Sequence, residues 1–409
     1  MRLKFIALLL MPVWLGQGCP GVKQSWDQAL DAMFSAALRR EAGTSPLPVP
    51  GSPFPVPRSP TAEQGQGLTN PPKPASGDLK PAPIEVVAEN LQIPWEIAVL
   101  PTGDLLVTER PGTLRRIGKD HSLITIEGVH HVGEGGLLGL ALHPKFAQNQ
   151  LLYLYLTTKD AGRLKNRVER YRLEDQRLID RKLILDNIPG AVFHDGGRLA
   201  FGPDGMLYIT TGDAGNERAA QDKTSLAGKL LRLQDDGTIP KDNPFKNAVY
   251  SYGHRNSQGL AWDRRGRLWS TEHGPSGART GFDELNLIEK AKNYGWPLIE
   301  GNQRRPGMET PIIQSGAKET WAPAGAIAYD GSVFFTGLRG ETLYEAKLEG
   351  SRVTSLLRHL EKKYGRLRAI TLGGDGWLYV STSNTDGRGN PRPGDDIILK
   401  IDPRMFRER

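Results

Sequence analysis

The sequence predicts an all-β protein, a six-bladed β-propeller preceded by a signal peptide, a short helix and a Pro-rich linker. The first observation behind this prediction is a turn-and-strand unit that recurs six times along the chain. The second is the high content of turn-forming residues, 48 Gly and 30 Pro among 409, because all-β folds need many tight turns. The boundaries that we expect are 1–19 for the export signal, 20–82 for the helix and linker, and 83–409 for the propeller.

The recurring unit is a turn, usually containing Gly, followed by a short strand of alternating apolar residues. Its copies begin at Pro101, His143, Gly202, Asp263, Tyr329 and Gly373. They lie roughly 40 to 70 residues apart, the range for four-stranded blades with loop insertions. Each blade leaves two apolar faces that only neighbouring blades can cover, so a closed ring is the stable arrangement. The alternative, a pair of β-sandwiches, does not explain why one signature recurs six times.

The N-terminus has the order of an export signal. Residues 1–4 are positively charged, residues 5–15 are almost wholly apolar, and Gly16 and Gly18 precede the single cysteine, Cys19. The apolar run is too short for an ordinary membrane span, so we expect a periplasmic or other extracytoplasmic location. Cys19 resembles the cleavage site of a bacterial lipoprotein, but no Leu stands three residues before it. A lipid tether at Cys19 and simple cleavage nearby therefore both remain open.

Two further features precede the propeller. The apolar residues between Trp26 and Arg40 have helical spacing, which predicts one short amphipathic helix. Residues 45–83 are rich in Pro, Gly, Ser and Thr and cannot bury enough apolar surface to offset the entropy of ordering, so they predict a linker. The net charge of +7 weakly favours anionic partners, but the sequence has no clustered basic stripe of the kind that binds nucleic acid.

Polar stretches near the repeats are candidates for chemistry, because strand-end loops of a propeller converge on the central channel. His194 precedes the third repeat, and its imidazole could remove a hydroxyl proton near neutral pH; a histidine that is hydrogen-bonded within a loop is the alternative. Arg255, before the fourth repeat, could stabilise an oxyanion. A solvated loop would explain that stretch equally well.

Two more stretches have features of ion-binding sites. Gly274 and Pro275 bend the chain so that successive carbonyls can point at one calcium ion, although this signal is weak on its own. Arg366 and Arg368 alternate on one strand and face the same side, where two guanidinium groups repel unless an anion lies between them. A solvated strand edge is the alternative for the arginine pair.

Together these stretches resemble the glucose/sorbosone dehydrogenase family of soluble quinoprotein sugar dehydrogenases, and most of all its aldose sugar dehydrogenase branch. The resemblance runs from about residue 93 to residue 401. It rests on seven short motifs in the family's order, Ile93-Pro-Trp-Glu, Thr108-Glu-Arg-Pro-Gly, Gly133-Glu-Gly-Gly-Leu-Leu-Gly, His194-Asp-Gly-Gly-Arg, Gly253-His-Arg-Asn-Ser-Gln-Gly, Glu272-His-Gly-Pro and Asn293-Tyr-Gly-Trp-Pro. The family fold is a six-bladed propeller, in agreement with the repeat count.

The resemblance implies that pyrroloquinoline quinone (PQQ) and one calcium ion, Ca2+, bind over the central channel. It implies that His194 is the base for the anomeric hydroxyl and that Arg255 contacts the reacting quinone carbonyl, with Asn256 beside it. The backbone carbonyls of Gly274 and Pro275 would hold the calcium ion. The expected reaction is oxidation of an aldose to a lactone, with the electrons passed to a separate acceptor, a quinone or a cytochrome.

Further site residues follow from the same resemblance. Arg366 and Arg368 match the arginine pair around the cofactor's carboxylates, and Arg339 falls where many relatives have a cofactor-binding lysine. Glu284 and Tyr294 match a second calcium site.

Two departures from the family pattern concern the site. Glu134, in the cofactor site, stands where glucose-oxidising relatives often have Gln. The run from Ser276 to Phe282 is longer than usual, which could alter the second calcium site or the cleft wall.

Two other functions remain as alternatives. One is a non-catalytic binding propeller that has lost the cofactor, although intact His194, Arg255, Gly274 and Pro275 argue against such decay. The other is a calcium-dependent lactonase propeller. Lactonase sites hold calcium with converging carboxylates, and the sequence has no such set of acids.

Overall fold

The computed structural model describes residues 84–275 and 281–407 and contains six four-stranded antiparallel sheets. These sheets form a six-bladed β-propeller, so the predicted fold class is confirmed. The predicted export signal, short helix and Pro-rich linker lie outside the described residues. Within the described residues, every helix is too short or too polar to cross a membrane.

Each blade consists of four strands in chain order, with one exception at the ring closure. Blade 1 contains β2 (Pro94–Val99), β3 (Leu105–Glu109), β4 (Thr113–Ile117) and β5 (Ser122–Thr125). Blade 2 contains β6 (Leu137–Leu142), β7 (Leu151–Asp160), β8 (Arg163–Glu174) and β9 (Arg177–Pro189). Blade 3 contains β10 (Leu199–Phe201), β11 (Leu207–Thr211), β12 (Lys229–Leu233) and β13 (Val249–Tyr252). Blade 4 contains β14 (Ser257–Trp262), β15 (Leu268–Glu272), β16 (Glu284–Ile288) and β17 (Ile313–Gln314). Blade 5 contains β18 (Pro323–Tyr329), β19 (Ser332–Gly337), β20 (Thr342–Glu349) and β21 (Arg352–His359). Blade 6 contains β22 (Leu367–Leu372), β23 (Leu378–Thr382), β24 (Ile398–Ile401) and β1 (Glu85–Ala88). The described helices are short, α1 (Phe146–Asn149) and two 3-10 turns, Glu217–Gln221 and Pro403–Phe406.

The ring closes by pairing the first strand with the last. Strand β1 is antiparallel to β24, with Glu85 opposite Lys400 and Val86 opposite Leu399. The outer strand of blade 6 therefore comes from the start of the propeller and its three inner strands from the end. This pairing removes the two open sheet edges that an unclosed array would expose.

The sequence repeat corresponds to the turn between the first and second strands of each blade. In blade 3, Asp204 accepts hydrogen bonds from the Tyr208 hydroxyl (3.0 Å) and from Arg232 Nε (2.9 Å). In blade 6, Asp375 accepts from the Tyr379 hydroxyl (3.0 Å) and lies 2.9 Å from the Nζ of a lysine on the third strand. The repeated Asp-Gly turn is thus closed by partners from its own blade.

A threonine at the end of the second strand joins neighbouring blades. The hydroxyl of Thr108 in blade 1 donates to the carbonyl of Leu138 in blade 2 (2.6 Å), and Thr271 in blade 4 donates to Ala324 in blade 5 (2.7 Å). Both threonines are fully buried. Since the same hydroxyl recurs, the repeat specifies contacts between blades as well as the turn itself.

The core lies between the sheets and is built from large apolar side chains. One cluster joins Trp95 of blade 1 with Tyr153 of blade 2 and Ile209 of blade 3. Another joins Trp269 of blade 4 with Phe335 of blade 5. Each such side chain is almost fully buried, and burial of this kind stabilises the fold by roughly 2 to 3 kcal/mol per residue.

Antiparallel strands place the functional loops on one face of the ring. In each blade the first strand begins where the second strand ends, at the edge opposite the repeated turn. We call this edge of the ring the site face, and the edge with the repeated turns the turn face. Loops that precede the inner strands and loops that follow the second strands therefore meet around the channel at the site face.

Candidate active site

His194 lies on the site face, just before β10. Its ring Nδ1 is 2.8 Å from Asp213 Oδ1, and its backbone N–H donates to Glu134 Oε2 (2.9 Å). The residue has φ of 61°, in the left-handed region that non-glycine residues rarely occupy. Gly212 makes this possible, because a Cβ there would lie 1.7 Å from the carbonyl oxygen of His194.

Asp213 is the buried carboxylate that orients this histidine. It also accepts hydrogen bonds from Trp296 Nε1 (2.8 Å) and from the N–H of Gly215 (2.9 Å). Burial alone would raise the pKa of Asp213, but the charge and hydrogen bond of His194 hold it below its usual range. An ionised carboxylate only accepts hydrogen bonds, so Nδ1 of His194 carries a proton, and in the neutral form of the ring Nε2 is the acceptor.

Arg255 and Asn256 follow β13 and are both buried. The guanidinium of Arg255 lies 5.3 Å from the ring centre of Trp296, which places it beside the histidine–aspartate pair. Asn256 Oδ1 accepts the N–H of Gly196 (3.0 Å), while its buried Nδ2 has no hydrogen-bond partner among the described residues. An amide donor that is held in place without a partner fits the binding of a polar ligand.

Three buried arginines, Arg110, Arg366 and Arg368, lie on the opposite side of the channel, and two of them pair with one carboxylate. Arg366 donates to Asp386 Oδ2 from Nε (3.0 Å) and Nη2 (2.8 Å), and Arg368 Nη2 lies 4.0 Å from the same oxygen. Arg368 also donates to Gln258 Oε1 (3.2 Å). Burial lowers the pKa of Arg110, and the charge of Asp386 opposes that effect. The anion expected between Arg366 and Arg368 is thus Asp386, but the charge of Asp386 also acts on Arg110, and three guanidinium groups around one carboxylate suit a further anionic ligand.

A second layer of charge lies against Trp95. The guanidinium of Arg198 is 4.4 Å from the centre of its ring and that of Arg368 is 5.8 Å away. Arg198 pairs with Glu96 and donates to the carbonyl of Gln258 (2.8 Å). Burial, and next the charge of Arg368, lower the pKa of Arg198 to about 9. The indole ring of Trp95 therefore contacts two cations, Arg198 and Arg368. We call Arg110, Arg366 and Arg368 the arginine group.

Glu134 connects the two sides of the site. One oxygen accepts the N–H of His194, and the other lies 2.6 Å from Nη1 of Arg388 in blade 6, 254 residues along the chain. Burial would raise the pKa of Glu134, but the charges of Arg388 and His194 hold it well below the usual range. Glu134 is therefore a charged carboxylate at the cleft wall.

The predicted calcium-binding turn lies at the end of β15. The N–H of Gly274 donates to Asp283 Oδ1 (2.9 Å), whose other oxygen accepts the N–H groups of Trp321 (2.7 Å) and Ala322 (2.9 Å). A Cβ on Gly274 would lie 2.1 Å from the carbonyl oxygen of Gly281, so only glycine fits there. Pro275 is the last described residue before the gap, and most of the long run that starts at Ser276 lies outside the described residues.

Glu284 and Tyr294, the two residues of the predicted second calcium site, both make contacts within blade 4. Glu284 lies opposite Glu272 on the neighbouring strand, and burial together with that second carboxylate raises its pKa well above the usual range. The Tyr294 hydroxyl donates to the carbonyl of Leu287 (2.6 Å) and accepts the N–H of Glu289 (2.8 Å). Within the part of the chain that the structure describes, no three His, Cys, Asp or Glu side chains are grouped to hold a metal. This second site remains a prediction.

Arg339 is exposed in the loop after β19, directly beside the arginine group. The preceding residue, Leu338, accepts a hydrogen bond from Arg366 Nη1 at its carbonyl (3.3 Å). The structure thus brings Arg339, Arg366 and Arg368 to one side of the channel mouth, as the sequence prediction requires.

Sequence reasoning did not assign a role to several residues that complete the site, namely Arg110, Asp213, His273, Trp296, Asp386 and Arg388. His273 donates its N–H to the carbonyl of Asn256 (3.1 Å), while its buried Nε2 has no partner among the described residues. Burial lowers the pKa of His273 to about 3, so its ring is neutral. Four of these residues lie within four positions after the end of a second strand: Arg110, Asp213, His273 and Asp386. This recurring position is the signal that could have identified them from the sequence.

On a propeller scaffold, the site thus combines a histidine oriented by a carboxylate with a cationic pocket on the facing side. The family model for Glucose / Sorbosone dehydrogenase matches residues 91–398, and the chain belongs to that family.

Two named relatives are sugar dehydrogenases. Aldose sugar dehydrogenase YliI of Escherichia coli is 34% identical over 360 residues, which cover 78% of this chain and 93% of that protein. The structure of the PQQ-bound form of aldose sugar dehydrogenase from Streptomyces coelicolor has a TM-score of 0.72 and 41% identity, and the match covers 79% of this chain and 99% of that one. These relatives support an oxidoreductase that acts on sugars.

A third relative has a different kind of name. Human Hedgehog-interacting protein is 28% identical over 172 residues, which cover 35% of this chain and 24% of that protein. Its name describes an interaction rather than a reaction, so a match to this chain does not by itself imply catalysis.

Proposed function

We propose that this protein oxidises the anomeric carbon of aldose sugars to lactones, with PQQ and Ca2+ bound at the site face. The observation that carries the proposal is the pair of His194 and Asp213, held across the channel from three buried guanidinium groups, two of which pair with Asp386. Membership of the sugar dehydrogenase family and the PQQ-bound relative support the same function.

The residues present fit the proposed cofactor. PQQ carries three carboxylates, and the three arginines Arg110, Arg366 and Arg368 face two protein carboxylates, Asp386, which contacts Arg366, and Glu134, whose charge acts on Arg110 and Arg368. Buried donors without partners, the Nδ2 of Asn256 and Nε2 of His273 when it carries the proton, add neutral polar contacts. A site that concentrates cations and unpartnered polar atoms suits a polar anion far better than an apolar ligand.

Each predicted residue has a place in this arrangement. Arg366 and Arg368, with the exposed Arg339 at the mouth, would hold the carboxylates of the cofactor, and Asn256 would donate to its ring system. The carbonyls of Gly274 and Pro275 would contribute to a calcium site, with further oxygens from the ligand and water, because calcium takes six to eight oxygen ligands. When bound, the quinone accepts the hydride that leaves the anomeric carbon.

The chain's own chemistry centres on the imidazole. His194 would accept the proton of the anomeric hydroxyl at Nε2, because Asp213 fixes the proton of the neutral ring at Nδ1 and stabilises the cation that results. Arg255, anchored against Trp296, would face the oxygen that gains negative charge and stabilise it more in the transition state than before. Glu134 holds the backbone of the histidine from the other side.

Three further parts of the proposal concern the protein's location, a second calcium ion and the electron acceptor. We propose that the protein works outside the cytoplasm, from the export signal that the sequence predicts, with or without a lipid tether at Cys19. A second calcium ion would bind near the carboxylate of Glu284, where Tyr294 would contribute only its backbone carbonyl, because its hydroxyl makes two other hydrogen bonds. The electrons would leave to a separate acceptor, a quinone or a cytochrome.

A non-catalytic binding propeller is the second candidate, and the match to Hedgehog-interacting protein favours it. The experiment that separates the two mixes purified protein with PQQ and calcium, then adds a panel of aldoses and an artificial dye acceptor. Catalysis predicts dye reduction with at least one aldose. No reduction with any of them would favour a binding role.

The variant His194→Ala tests the proposed base. It should keep cofactor binding and lose about 100- to 10,000-fold in kcat, the usual contribution of a general base. The matched control is His143→Ala on the turn face, because His143 also pairs with an aspartate, Asp235 at 3.3 Å, but lies far from the channel mouth in the α1 turn. Unchanged turnover in His194→Ala would remove this residue from the base role.

A further inference from the structure

Exposed positive charge is concentrated on one side of the site face. Five exposed cations lie in the site-face loops of blades 5 and 6: Arg339, Lys362, Lys363, Arg388 and Arg392. Arg388 pairs with Glu134, and we call the other four the basic rim. The exposed acids of the same loops and of the adjoining loop after β1 are Glu89 and Glu361, and Glu361 lies 3.5 Å from Arg358. The rim therefore carries a net positive charge that its own acids do not balance.

Hydrogen bonds to backbone carbonyls connect the loops of the basic rim with one another, and the chain itself connects them with the arginine group. The N–H of Lys362 donates to the carbonyl of Glu341 (2.8 Å), two residues beyond Arg339. Nη1 of Arg392 donates to the carbonyl of Lys363 (2.9 Å). Arg366 follows three residues after Lys363 and enters the site. The rim is thus continuous with the wall of the cleft.

The opposite side of the same face has no such excess. The site-face loops of blades 2 and 3, with the loop that leads into blade 2, expose four cations and four acids: Lys159, Arg163, Arg218 and Lys223 against Glu127, Asp160, Glu217 and Asp222. The net charge of +7 on the whole chain therefore has a local counterpart beside the site. A one-sided field of this kind steers an oppositely charged molecule toward one wall of the cleft.

We infer that the basic rim is the docking surface for the electron acceptor, and that this acceptor presents negative charge. The inference rests on the proposed function, because it concerns the molecule that removes the electrons. Oxidation of an aldose to its lactone releases two electrons and two protons. Two one-electron anionic acceptors are reduced for each sugar, and the protons pass through His194 to solvent. The sugar enters the same mouth but is neutral, so the rim residues other than Arg339 act on the acceptor step alone.

The test compares two small acceptors of equal and opposite charge, trianionic ferricyanide and the tricationic hexaammineruthenium(III) complex. The variant is Lys362→Glu with Lys363→Glu, and the matched control is Lys145→Glu with Lys241→Glu, which makes the same change of net charge with exposed lysines on the turn face. The measurement is kcat/KM for each acceptor at saturating aldose, at low and at high ionic strength. The protein is the full chain loaded with PQQ and calcium.

The rim variant should lower kcat/KM for ferricyanide by about tenfold at low ionic strength and raise it for the ruthenium complex, whereas the control should change neither appreciably. Both effects should shrink at high ionic strength, because salt screens exposed charges. Sugar oxidation with a neutral dye should be unchanged. Equal effects of rim variant and control would remove the docking surface while leaving the proposed function intact. Failure of the wild-type protein to reduce ferricyanide while it still reduces the neutral dye would remove only the docking surface, and failure with all three acceptors would remove the proposed function as well.

Discussion

The two faces of the ring use the same kind of residue in different ways. On the turn face, Asp375 binds Tyr379 and Lys400, both within its own blade. On the site face, Asp213 binds His194, which precedes its own blade's first strand, and Trp296, which is 83 residues away in the loop of the next blade. The turn-face carboxylate closes a repeated turn, whereas the site-face carboxylate assembles residues from separate segments around a histidine.

The faces also differ in how completely their polar groups are satisfied. The repeated turns meet their own donors and acceptors locally, which is why one motif can recur six times. At the site face, Asn256 Nδ2 and His273 Nε2 are buried without partners among the described residues. Buried unpaired polar atoms are costly unless a ligand pairs with them. The comparison teaches that repetition specifies the scaffold and that local departures from it mark the site.

The largest expected effect comes from the carboxylate behind the histidine. Asp213→Asn should lower kcat by about 100- to 10,000-fold, because the amide no longer fixes the proton at Nδ1 or stabilises the imidazolium. The paired change on the turn face, Asp204→Asn, should leave kcat unchanged and lower the free energy of unfolding by about 1 kcal/mol. Steady-state kinetics and urea unfolding of both variants measure the contrast. A comparable loss of kcat in the two would contradict the assigned division between the faces.

A smaller effect is expected on stability from a buried lysine. Lys229 is fully buried and donates from Nζ to the carbonyls of Ala219 (2.8 Å), Ala220 (3.0 Å) and Ala227 (2.5 Å), which fastens a site-face loop. Lys229→Met should lower the free energy of unfolding by about 3 kcal/mol, because three buried acceptors lose their donor. Lys400→Met, on the half-exposed pair with Asp375, should cost less than about 1 kcal/mol. Equal losses in the free energy of unfolding would show that burial does not determine how much each lysine contributes to stability.

The smallest effect concerns acid. The pKa of Asp213 is below its usual range in the folded protein, so the ionised form contributes stability above the unfolded pKa of about 4. That contribution is lost as the pH falls through the lowered folded pKa. The melting temperature of the wild type should therefore fall more steeply with acidification below about pH 4 than that of Asp213→Asn. Parallel curves for the two proteins would mean that Asp213 does not contribute to acid sensitivity.

Much of the fold could be predicted from the sequence because the scaffold is a local repeat. Turn, strand and the threonine that joins neighbouring blades all lie within about ten residues of one another, so the six copies revealed the six blades. Closure of the ring by β1 and β24 could not be read in this way, because it pairs residues about 310 apart, such as Glu85 and Lys400.

The site was predicted in part for the same physical reason. His194, Arg255, Asn256, Arg366 and Arg368 lie in distinctive local motifs, and the structure brings them to one face. Arg388 was missed because its partner, Glu134, lies in a distant segment, 254 residues away. Position within the repeat would have helped, since Asp213 and Asp386 both follow the end of a second strand.

The most direct measurement is the affinity of the purified protein for PQQ in the presence of calcium, by calorimetric titration. The account predicts that Arg366→Ala with Arg368→Ala binds at least about 100-fold more weakly than the wild type, because two charge-assisted contacts to the cofactor are lost. Arg366→Lys with Arg368→Lys, which keeps the charge beside Asp386, should recover part of the affinity, and melting curves confirm that each variant is folded. Equal affinity in wild type and folded alanine variant would contradict the claim that the cationic channel mouth holds an anionic cofactor.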